Sequence, residues 1–87
     1  MQNLKAYVEA RNKWSAIFGG QPLSLQSAAD RKRIAQMIDA DLSPENLTCD
    51  GELPASQVRA RHASLTKVAK ELIKLDPSVA KFMYEFA

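Results

Sequence analysis

From Ala55 to Leu75 the chain carries neither glycine nor proline, and Val58, Leu65, Val68, Ala69, Leu72 and Leu75 fall on one side of a helical period. A helix of this length cannot bury such a stripe by itself, so the remaining segments must supply the faces that cover it. None of them shows sustained two-residue alternation of β-branched or aromatic residues. The nearest thing to a strand pair is LTC and ELP around Asp50-Gly51, at most a stub. The expected fold is all-α, a small bundle or orthogonal array of about four helices near residues 2–18, 25–42, 55–75 and 77–86.

The limits of the other helices have local causes. Leu4, Tyr7, Val8, Trp14 and Phe18 recur at helical spacing and then meet Gly19-Gly20, which suits the left-handed turn that closes a helix. In the second helix Ser24 or Ser27 can cap the first turn, with Asp30 near its positive end, and Ala28, Ile34, Ala35, Ile38 and Leu42 share a side. Asp76-Pro77 stops the third helix, because a residue before proline avoids helical dihedrals. The same pair caps and opens a fourth, in which Val79, Phe82, Met83 and Phe86 fall on one face.

With 87 residues, one domain over 1–87 is expected, and its core is thin, since a chain this short buries only about three-fifths of its unfolded surface. Apolar residues at 46% and charged residues at 25% argue against disorder, while a net charge of +2 decides nothing unless the charges are placed. One cysteine cannot form an internal disulfide, and Cys49 with His62 falls short of the four ligands of a structural zinc site. No metal or cofactor is expected. The N-terminus MQNLKAYVEARNKW lacks the apolar run of a secretion signal, and no stretch nears the roughly twenty apolar residues that span a bilayer. A cytoplasmic setting, in a bacterial cell or an infected host, is expected. The opening Met1 and the lack of a tag read as a complete small protein.

The stretch at 43–54 reads as an acidic loop. Ser43-Pro44-Glu45-Asn46 resembles a cap followed by one helical turn, Asp50-Gly51 a tight turn, and Leu47 and Leu53 are placed to pin the loop to the core. Asp39, Asp41, Glu45, Asp50 and Glu52 gather here without a lysine or arginine, yet a calcium loop of the EF-hand kind needs glycine where Pro44 stands. Cys49 would need a base to act as a nucleophile, and His62 is the one histidine; the expectation is a small, partly buried apolar cysteine. No catalytic residue is assigned, and no enzyme activity is expected.

The remaining candidates are surfaces. Arg59, His62, Lys67, Lys70 and Lys74 lie opposite the apolar stripe of the third helix and form a basic face able to follow a phosphate backbone, with Arg31, Lys32 and Arg33 added from the second. The connection between those helices is too long for an ordinary helix-turn-helix. On the first helix Arg11 stands among Leu4, Tyr7, Val8, Trp14 and Phe18. There it either extends its stem over the core, stacks on Tyr7 or Trp14, or joins a partner-binding face. The chain end FMYEF poses the same choice between closing the core and entering a groove on a second chain. The leading expectation is a non-enzymatic regulatory or accessory protein of bacterial or phage type. It would bind another protein through Tyr7, Arg11, Trp14, Phe82, Met83 and Phe86, with a homodimer sharing some of that surface. Nucleic acid on the basic face is the alternative.

Overall fold

The computed structural model describes residues 2–86, and within them the fold is all-α with no strand. Four α-helices, α1 (Gln2–Ile17), α2 (Ala28–Asp41), α3 (Pro44–Thr48) and α4 (Ala55–Leu75), are followed by two 3-10 segments, Pro77–Phe82 and Tyr84–Phe86. The long helix is the spine. Its Val68, Ala69 and Leu72 are buried against Leu4 and Val8 of α1, Ile34, Ala35 and Ile38 of α2, and Val79 and Met83 of the tail. Leu65 and Val58 are only partly covered, and Leu75, expected on the buried stripe, is 40% exposed at the last residue of the helix.

Local chemistry sets the boundaries. α1 stops at Ile17, where the Phe18, Gly19 and Gly20 amides turn back onto the Ser15 and Ala16 carbonyls and Gly19 takes a φ of 76° that disfavours a side chain. α2 begins three residues later than its hydrophobic pattern suggests, because Ser27 rather than Ser24 is the cap: its hydroxyl accepts the Asp30 amide, while the Asp30 carboxylate accepts the Ser24 amide at 2.9 Å. At the start of α4, Pro54 occupies the cap position and contributes no side-chain acceptor. Asp76 ends that helix. It accepts the Ser78 amide and also Arg31 Nε at 2.8 Å, and Ser78 followed by Arg31 hold its carboxyl below the usual aspartate range.

The tail departs from expectation. A continuous fourth α-helix over 77–86 is replaced by two 3-10 turns separated by Met83, whose extended backbone (φ −118°, ψ 108°) swings its side chain to full burial. So short a segment gains little from its own hydrogen bonds, and core packing of Val79 and Met83 decides its shape.

In the acidic loop, α3 takes the proline start expected of it, although Ser43 makes no side-chain cap. The reversal after α3 runs through three consecutive residues with positive φ, Cys49 (48°), Asp50 (57°) and Gly51 (86°). Cys49 is exposed rather than partly buried, and it holds a left-handed conformation that costs an L-residue about 1–2 kcal/mol. Cys49→Gly is therefore expected to raise stability by about 1 kcal/mol in urea unfolding. A loss of stability in that assay would show that the strain is absent.

Candidate docking surface

Arg11 explains its own position. It reaches from α1 to the end of α2 and forms an ion pair with Asp41, whose Oδ2 also accepts the Tyr7 hydroxyl at 2.6 Å. The guanidinium lies 5.5 Å from the centre of the Tyr7 ring, so of the two stacking partners open to it Arg11 takes Tyr7. The three side chains tie α1 to α2 across 30 residues of sequence, and Asn12 adds a second tie by exchanging hydrogen bonds with both backbone groups of Leu23. Burial, and then the hydrogen bond to Asp41 and its charge, push the Tyr7 phenol well above its ordinary value against the opposing charge of Arg11.

This triad forms the floor of an open groove of about 420 Å³ between α1 and α4, walled by Ala10 and Trp14 on one side and by Arg61, Ser64 and Leu65 on the other. Trp14 stands as a ridge, since a smaller hollow of about 180 Å³ lies behind it beside Asn12, Leu23, Arg33 and Met37. Trp14 is 62% exposed, Ile17 68% and Phe18 73%, and the Trp14 and Phe18 rings meet edge to face at 5.5 Å. Trp14 and Phe18, expected on the same helical side as Leu4 and Val8, instead stand outside the core, because the ties of Arg11 to Asp41 and of Asn12 to Leu23 fix which face of α1 turns inward; Ile17 and Arg61 border the same surface although the sequence pattern does not single them out.

The chain end does not join this surface. Met83 is fully buried, and Phe82 and Phe86 pack partly buried on the core, with Lys32 and Lys81 over the Phe82 ring at 5.0 and 5.2 Å. Met83 is thus withdrawn as a partner contact, because the core requires its volume. Tyr84 is the exposed aromatic of the tail, at 88%. It roofs a hollow of about 580 Å³ over Leu42, Leu47 and Val58, and its amide donates to Asp39 at 2.8 Å.

The basic face is divided. Arg59, Lys67, Lys70 and Lys74 are exposed along one side of α4, but His62 lies at its margin, 3.2 Å from Glu85. Arg31 is committed to Asp76. The loop acids do not converge either: Asp41 holds Arg11, Asp39 holds the tail, and among the described residues no three His, Cys, Asp or Glu side chains could share an ion. Cys49 faces the Asn46 carbonyl at 4.0 Å, and His62 is engaged with Glu85, so the two are not brought together as nucleophile and base. No family model, curated protein or solved structure matches the chain.

Because the Tyr7 phenol titrates higher in the folded chain, the stability linked to it is complete below its ordinary value of 10 and is lost as the pH rises past it. Tyr7→Phe should lose about 1 kcal/mol near neutrality. Its unfolding free energy should also fall less steeply than that of the parent between about pH 9 and about pH 11. Equal slopes would mean that burial and Asp41 together do not raise the phenol.

Proposed function

We propose that the protein is a non-enzymatic binding module, of the regulatory or accessory kind, that docks the outer face of α1 onto another polypeptide with Trp14 as the central contact. The observation that carries this is the joint exposure of Trp14, Ile17 and Phe18 beside a preformed groove. Monomeric proteins rarely leave large apolar side chains contiguous on the surface unless they recognise something, and tryptophan and arginine are the side chains on which binding energy concentrates. Tyr7 and Arg11 serve as a fixed, hydrogen-bonded floor, so little side-chain entropy remains to be lost when the groove is filled. Among the described residues no helix is long and apolar enough to cross a membrane, and a cytoplasmic setting belongs to the same proposal.

Nucleic-acid binding is the second candidate, favoured by the exposed line of Arg59, Lys67, Lys70 and Lys74, which spans about 22 Å of α4 at the α-helical rise. It ranks lower because His62 and Arg31 are engaged with acids and the net charge is only +2. A gel shift at low salt that shows no retained complex removes it.

Immobilised protein should retain one dominant species from a lysate of its native host, and Trp14→Ala should lose that species with an unchanged far-ultraviolet circular dichroism spectrum. Retention by the variant, or its unfolding, contradicts the proposal.

A further inference from the structure

The outer face of α1 is complementary to itself. Ala6, Ala10, Trp14 and Ile17 recur along it at helical spacing, all exposed, on the side roughly opposite the buried Leu4 and Val8. The stripe is therefore flat in its first half and bulky in its second, where Trp14 and Phe18 hold each other edge to face. Glu9 and Lys13 lie on one margin of it, exposed and four residues apart, and among the described residues neither is in an ion pair.

We infer that the occupant of this face and of the groove beside it is the same face of a second copy, α1 against α1 in antiparallel sense with Ala10 at the two-fold axis. The inference rests on the reading of this face as a docking surface. Reversal about Ala10 lays Trp14 over Ala6 of the partner subunit, and the symmetric contact repeats it, so a large side chain meets a small one twice. The same reversal brings Lys13 within about 3 Å, along the axis, of Glu9 of the partner subunit, and both lie on the same margin. Two ion pairs result, whereas a parallel pairing carries the two charged margins to opposite sides of the helix pair, where neither ion pair forms. Trp14 and Phe18, 62% and 73% exposed, offer on the order of 300 Å² per copy. The pair thus covers roughly 600 Å² before Ile17, the alanines and the groove wall are added, against about 1,200 Å² for a specific interface. That total suits a dimer that forms with concentration rather than an obligate one.

Sedimentation equilibrium of the full chain should show a monomer at low micromolar and a dimer at high micromolar concentration. Ala10→Arg, exposed and a good helix former, sets two like charges at the axis and should raise the dissociation constant more than about tenfold with an unchanged circular dichroism spectrum. Lys13→Glu should weaken the dimer, and Glu9→Lys combined with Lys13→Glu should restore it. In a Cys49→Ser background, oxidation should link Ala10→Cys but not Ala16→Cys into a covalent dimer. A monomer at every concentration, or a dimer indifferent to Ala10→Arg, overturns the inference. A monomer that still captures another protein through Trp14 removes the second copy and leaves the docking surface standing; a monomer that captures nothing removes both.

Discussion

α1 has two apolar faces, and the chain covers only one. Leu4 and Val8 are buried against α4, while Ala6, Ala10, Trp14 and Ile17 remain outside. The division follows from how the helix is held. Asn12 and Arg11 grip the polar ends of α2 and its approach, and at its start the Leu4 amide lies 3.5 Å from Glu71 of α4. With its rotation locked at three places, α1 cannot roll Trp14 inward without breaking a charge-assisted bond and exposing Leu4. The outward aromatic set is thus a consequence of the polar ties as much as of the core.

The polar ties also engage several of the acids. Two of the acids near the loop join elements, Asp41 to α1 and Asp39 to the tail, and far from the loop Asp76 joins the end of α4 to Arg31. The exposed surface is apolar at the end of α1 and basic along α4.

The sequence made some of this plain. The stripe on α4 was readable because nothing in Ala55 to Leu75 competes with a helix, and Gly19-Gly20 and Asp76-Pro77 mark their boundaries through backbone geometry alone. The tail was misread for a physical reason. Val79, Phe82, Met83 and Phe86 satisfy an α-helical spacing, but a segment this short takes its shape from what it packs against, and Met83 is drawn into the core at the expense of the helix. Arg11 could be seen as anomalous, yet its partner lies 30 residues away, and no local pattern points to Asp41 rather than to any other acid. The positive φ of Cys49 was equally hidden, since neither its size nor its neighbours mark it for a left-handed turn.

Trp14 is the only tryptophan, so its fluorescence reports directly on whether the outer face of α1 is free in the isolated chain. At concentrations low enough to keep the protein monomeric, an exposed Trp14 predicts red-shifted, water-like emission that iodide quenches efficiently while the helical circular dichroism is intact. Blue-shifted emission shielded from iodide in that dilute, folded monomer would place the ring in the core and remove the face on which the proposed recognition rests.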